Sequence, residues 1–140
     1  MNEKLNEGLK KLGLEFSQNQ ISRIETYISC VLEFNKTYNL MKADSTDELT
    51  VNHILDSLAA APSIASFIQK IQEKKNIATL QIADIGSGGG CPGIPLAVAF
   101  PEQNFTLIER MEKRCGFLES AVCKMNLSNV NVNCIQADLI

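Results

Sequence analysis

Residues 82–95 read IADIGSGGGCPGIP and place five of the chain's eight glycines and two of its four prolines between Gly86 and Pro95. Glycine has no Cβ, so it admits positive φ and lets a second molecule approach the main chain closely, at an entropic cost to folding. A bare connection does not need that freedom. Placed directly after the apolar run 82–85, the stretch reads as a strand that ends in a ligand-holding loop.

Working outward from this loop, LQIADI (80–85), IPLAVAF (94–100), FTLIE (105–109), KRCGFLESAVCKM (113–125) and VNVNCI (130–135) alternate between strand and helix patterns. That alternation implies parallel strands joined by right-handed crossovers, hence an α/β fold. The chain before it is helical. Leu5, Leu9 and Leu12 mark a first helix ending at Gly13. Ser17 and Gln20 form a capping box, with Phe16 and Ile21 at staple positions, opening a helix over 17–34 whose stripe is Ile21, Ile24, Ile28, Val31 and Leu32. A second box, Ser45 with Glu48, opens a helix through Leu49, Ile54, Leu55 and Leu58 to Pro62. Ile64, Phe67, Ile68 and Ile71 mark a short helical segment, and the polar QEKKN (72–76) reads as a connection. The expected division is a helical region over 1–76 and an α/β region over 77–140.

In a parallel α/β sheet, ligands bind outside the carboxyl ends of the strands, usually at the first strand-to-helix turn. A dinucleotide site wants G-x-G-x-x-G from the strand end, but counting from Gly86 the sixth position is Cys91. The shifted set Gly88, Gly90, Gly93 satisfies the string two residues late, with Pro92 and Pro95 around the helix start, and an NAD-linked oxidoreductase rests on that register alone. Asp84 followed by Gly86, Gly88 and Gly90 suits S-adenosylmethionine better: its methionine ammonium and sulfonium are cationic, and it brings no pyrophosphate. Glu109 ends the second strand 23 residues beyond Gly86, near the roughly 20-residue offset of a carboxylate that accepts from ribose hydroxyls.

Composition removes other classes. At 140 residues, 45% hydrophobic and 21% charged, the chain can build a core, and no uninterrupted apolar run approaches the roughly 18 residues of a membrane span. No membrane association or metal is expected. The five cysteines are odd in number and show neither a C-x-x-C pair nor histidines at zinc spacing, which reads as a reducing, cytoplasmic compartment. A net charge of −3 argues against coating nucleic acid by bulk electrostatics, so any RNA contact must be local.

EFNKTYNL (33–40), HILDSL (53–58), ADIGSGGGCPGIPLA (83–97), FTLIE (105–109) and KR-x-x-FL (113–118) together resemble the glucose-inhibited division protein B family, bacterial methyltransferases of small-subunit ribosomal RNA. The resemblance runs from about Glu33 to Asp138. It implies a Rossmann-like class I S-adenosylmethionine methyltransferase fold with an N-terminal helical extension, of which this sequence supplies the first half of the parallel sheet. It also implies cofactor contact at Gly86, Cys91, Ala137 and Asp138, and guanine N7 of small-subunit ribosomal RNA as the methyl acceptor. The sequence departs from the family at Cys91, where a larger apolar or aromatic residue is usual, and at Gly116 and Gln136, where basic residues are common.

Guanine N7 is a neutral acceptor with an exposed lone pair, so no general base is required and no catalytic residue is expected; alignment alone supplies the rate. His53, on a helix beside Ile54 and Leu55, reads as a hydrogen-bonding residue. Lys113 and Arg114, just past Glu109, are the expected RNA contacts. Cys115 and Cys123 read as core packing. With three strands the first is an exposed edge, so self-association through it and little turnover from these 140 residues are expected. A third reading, a noncatalytic module whose helical region binds a ribosomal or protein partner, stays open.

Overall fold

The computed structural model describes residues 2–135. Seven α-helices and three strands run α1 (Glu3–Leu12), α2 (Gln18–Asn35), α3 (Thr46–Leu49), α4 (Asp56–Leu58), α5 (Ala61–Lys75), β1 (Gln81–Ile85), α6 (Gly93–Ala99), β2 (Asn104–Glu109), α7 (Glu112–Lys124) and β3 (Val130–Cys134) among the described residues. The strands are parallel in the order β1-β2-β3, with Ile85 opposite Ile108 and Glu109 opposite Cys134. This is the α/β arrangement expected from the alternating pattern, and it leaves β1 at an edge. Ile85 there is 62% exposed.

The helix starts follow their caps. Asn2 accepts from Leu5 N and donates to Thr50 Oγ1, which fastens α1 to the following helices. At α2 the reciprocal Ser17–Gln20 box is complete. At α3, Ser45 accepts from Glu48 N, but the Glu48 carboxylate turns back to Asp44 N, so that box is only half formed.

The single helix expected from Ser45 to Pro62 is not continuous. Residues Thr50–Leu55 form a π-helical turn, and the chain breaks again between α4 and α5. The cause lies in hydroxyl side chains that compete for the backbone ladder: Thr50 Oγ1 donates to Thr46 O, and Ser57 Oγ donates to His53 O. Pro62, which has no N–H to donate, then sits in the first turn of α5. α5 also runs through 72–75, where a connection was expected, and ends at Asn76 in the left-handed conformation. No described helix is long and apolar enough to cross a membrane.

One buried apolar cluster runs through the described chain, from Leu5 and Leu9 through Ile24, Tyr27, Val31 and Leu58 to Ile94, Phe105, Leu107 and Leu118. The helical region therefore packs directly against α6 and α7, which in turn cover the sheet. Two cysteine expectations are corrected. Cys115 is buried, but it pairs with Cys134 as a disulfide, with Cα atoms 5.7 Å apart: parallel pairing sets Cys134 opposite Glu109, and the first turn of α7 returns over that point. Cys123 is exposed, because eight residues along a helix rotate a side chain roughly 80° away from its starting face.

Candidate functional site

At the carboxyl end of β1 the chain turns through Gly86 (φ 76°), Gly88 (φ 56°) and Gly90 (φ 101°), all in the left-handed region. Two backbone anchors start the turn: Gly86 N and Ser87 N both donate to Ile108 O of β2, at 2.8 and 3.1 Å. A Cβ at Gly86 or Gly88 would meet nothing within 4 Å, so the main chain there is open to a ligand. Gly90 differs, since its missing side chain makes room for Ile94 and Leu118.

Glu109 faces this loop. Its Oε1 accepts from Gly88 N and its Oε2 from Met111 N, both at 2.9 Å, and the residue is only 5% exposed. Burial by itself would raise the carboxyl's pKa. Backbone donation from Met111, Gly88 and Arg110, with the Arg114 charge nearby, overcomes that and holds it below the usual glutamate value. A carboxylate carries about four lone-pair sites, so two accepted bonds leave it capacity for hydroxyl donors. Folding therefore gains from the ionised form; the gain is complete above the ordinary value of 4.5 and is lost as acid protonates the folded group below it. Thermal melts below that pH should fall more steeply for the wild-type chain than for Glu109→Gln.

Asp84 is spent on the loop itself. Its Oδ2 accepts from Gly93 N at 3.1 Å at the start of α6, and its carbonyl accepts from Ser87 Oγ. Half-burial raises its pKa, against the lowering effect of the Gly93 and Ser87 contacts. Ile85, Gly86, Ile108, Glu109, Arg110, Met111, Arg114 and Ile135 line a cleft of 240 Å³ over the ends of the strands.

The structure thus joins Gly86, Gly88 and Glu109 into one site and sets Asp84 beneath it as the loop's fastening. Cys91 sits on the other side of the loop, its Sγ 3.3 Å from the Tyr27 hydroxyl, with burial pushing the thiol pKa up. Lys113 and Arg114 diverge: Arg114 lines the cleft, while Lys113 lies over the Tyr38 ring, 4.5 Å from its centroid. Ala137 and Asp138 lie outside the described residues. His53 Nε2–H donates to Lys42 O, the hydrogen-bonding role its setting suggested. Among the described residues no three His, Cys, Asp or Glu side chains converge as a metal site.

Tyr27 is the residue that sequence reasoning missed. Fully buried in α2, it donates from its hydroxyl to Gly89 O at 2.7 Å and so ties the helical region to the loop. The signal was available: Tyr27 falls between Ile24 and Val31 on the apolar stripe, and a buried hydroxyl must find a partner. Desolvation, then the neighbouring Cys91, raises its pKa and keeps it a donor. The segment after α2 presses on the same point, where a Cβ at Gly89 would meet Met41 at 2.6 Å, and Asn35 holds that segment by accepting from Leu40 N and Met41 N. Tyr27→Phe should cost about 2 kcal/mol in urea denaturation, because it leaves the Gly89 carbonyl buried without its donor.

The family model GidB, described as rRNA small subunit methyltransferase G, matches residues 20–139. A protein named Ribosomal RNA small subunit methyltransferase G from Ectopseudomonas mendocina is 37% identical over 130 residues, 93% of this chain and 56% of that protein. Proteins of the same name from Ralstonia nicotianae (34% over 125 residues) and Alteromonas mediterranea (39% over 124) cover 89% of this chain, and 54% and 53% of their own lengths. The chain spans about half the length of the curated relatives it matches. A glycine loop open at Gly86 and Gly88, a buried carboxylate one strand over and a family match across most of the sequence point the same way, and the chain belongs to the GidB family.

Proposed function

We propose that this chain carries the cofactor-binding part of an S-adenosylmethionine-dependent methyltransferase whose acceptor is guanine N7 in small-subunit ribosomal RNA. One observation carries the reading: main chain laid bare at Gly86 and Gly88, with the Glu109 carboxylate fixed against it. Gly86 supplies open backbone for the methionine end, Glu109 accepts from ribose hydroxyls, and Asp84 keeps the loop in shape through Gly93 N. Ala137 and Asp138 belong to the proposed cofactor contacts by their place in the family pattern, and Cys91 joins them only through its main chain, since its thiol is turned onto Tyr27. The names of the relatives, which specify small-subunit ribosomal RNA, support the substrate class.

When bound, the cofactor supplies a methyl group on a sulfonium. The protein's part is to hold the acceptor nitrogen in line with that methyl group and to keep water out. Neither task needs a general base, since N7 already presents a lone pair. Lys113 and Arg114, on either side of the first turn of α7, are the proposed RNA contacts. Mass spectrometry of small-subunit ribosomal RNA tests the substrate: cells lacking the full gene should lose an N7-methylguanine that a plasmid-borne full gene restores, and an unchanged nucleoside profile contradicts the assignment.

The edge of β1 bears on assembly. Its outer hydrogen-bonding groups have no strand partner among the described residues, and Ile85 is exposed beside them. Such an edge templates pairing with another chain. Sedimentation of the 140-residue chain at high concentration should show dimers or larger species, and a clean monomer contradicts this.

A further inference from the structure

A groove on the other side of α7 has features that the cofactor site does not use. Between the C-terminal half of α2 and α7 lies a 490 Å³ cavity whose walls include Phe34, Tyr38, Phe117, Lys113, Gly116 and Lys124. The three rings are contiguous, with Phe34 4.9 Å from Tyr38 and 5.1 Å from the buried Phe117 between centroids. Tyr38 is 41% exposed, and what covers its ring on the groove side is the flexible Lys113 side chain, which a stacking base would displace. Lys113 already sits as a cation over Tyr38.

The charge at the rim is positive in a chain whose net charge is −3. Glu33, on the same rim, is engaged by Lys36 at 2.9 Å. Among the described residues neither Lys113 nor Lys124 has a carboxylate within the same ion-pairing range. Gly116 adds an independent sign. It lies inside α7, where glycine is less favourable than alanine, yet a Cβ there would meet nothing within 4 Å. Packing does not demand a glycine at this position; its effect is to keep the floor of the groove open.

Aromatic faces with flanking lysines are the means by which proteins hold unpaired nucleotides: bases stack on the rings and phosphates meet the cations. We propose that this groove binds an unpaired nucleotide of single-stranded RNA, with the base stacked on Tyr38 and the flanking phosphates held by Lys113 and Lys124. The inference rests on the ribosomal-RNA methyltransferase reading and deepens it. The first turn of α7 carries Arg114 into the cofactor cleft and Lys113 into the groove, so one RNA strand crossing that turn reaches both.

Fluorescence anisotropy with a fluorescein-labelled single-stranded oligoadenylate decamer, titrated with the full chain, tests this. Tyr38→Ala should weaken binding about tenfold, the loss of one stacked base. Gly116→Leu, which sets a side chain on the floor where a Cβ meets nothing within 4 Å, should weaken it at least as much while the melting temperature holds or rises, since leucine favours the helix over glycine. Lys124→Ala should lower the slope of log affinity against log salt by about 0.7. Binding of S-adenosylhomocysteine should be the same in all three variants. No binding of the decamer at low salt, or binding that Tyr38→Ala and Gly116→Leu leave intact, overturns the groove assignment even where S-adenosylhomocysteine binds. Tighter binding of an apolar peptide than of the decamer overturns it as well. Failure of S-adenosylhomocysteine to bind the wild-type chain counts against the cofactor reading instead, and the decamer data still decide the groove.

Discussion

Glu109→Gln should lower stability by about 2–3 kcal/mol and weaken S-adenosylhomocysteine at least tenfold, although the two side chains have nearly the same shape. The wild-type carboxylate accepts from Gly88 N on one oxygen and Met111 N on the other. An amide offers one oxygen, and whichever N–H faces the new NH2 group loses its acceptor and meets a donor. Bonds to a charged acceptor are worth about 1.5–3 kcal/mol each, and Glu109 itself is only 5% exposed, so little compensation is available. The affinity loss has a separate origin, since the remaining lone pairs that would take ribose hydroxyls go with the charge. Urea denaturation and calorimetry on the same variant separate the two effects.

Gly90→Ala should destabilise the chain by about 3 kcal/mol, whereas Gly86→Ala should cost only about 1 kcal/mol and yet do more damage to cofactor affinity. Both glycines have positive φ, so backbone strain is common to both. The surroundings differ. At Gly90 a Cβ lands 2.7 Å from Ile94 Cδ1 and 3.2 Å from Leu118 Cδ2, and both neighbours are fully buried with nowhere to move. At Gly86 it enters open space, but that is the space a ligand would use against the main chain. A ranking in which Gly86→Ala unfolds the chain and Gly90→Ala does not would mean that the roles of the two glycines are reversed.

Local signals made much of this architecture readable. The three strands, α6 and α7 fall within a few residues of the apolar runs that announced them, and the Ser17 box sets the start of α2 as expected. Those features depend on neighbours in sequence. The unread features depend on partners far along the chain or on competing local bonds. Thr50 and Ser57 turn the expected long helix into a π-helical turn with a break, an outcome of side-chain hydroxyls that apolar periodicity does not register. Tyr27 finds Gly89 across 62 residues, and Cys115 finds Cys134 only once strand register and helix return are both fixed.

The candidate site shows the same division. The spacing from Gly86 to Glu109 indicated a loop and a carboxylate on adjacent strands, and the structure brings them into contact through Gly88 N. Adjacency in sequence could not show that Lys113 and Arg114 point to different sides of α7, because consecutive helical residues are about 100° apart. Nor could it show that Cys91 faces α2, a consequence of how the loop folds back onto Tyr27.

The claim beneath all of this is that bare backbone at Gly86 and Gly88, paired with an ionised Glu109, forms a nucleoside-cofactor site. Isothermal titration of the 140-residue chain with S-adenosylhomocysteine tests it most directly. The account predicts saturable one-site heat that weakens in Glu109→Gln and in Gly86→Ala and is absent with NAD. Silence at millimolar S-adenosylhomocysteine, or equal binding by the wild-type chain and both variants, would contradict it.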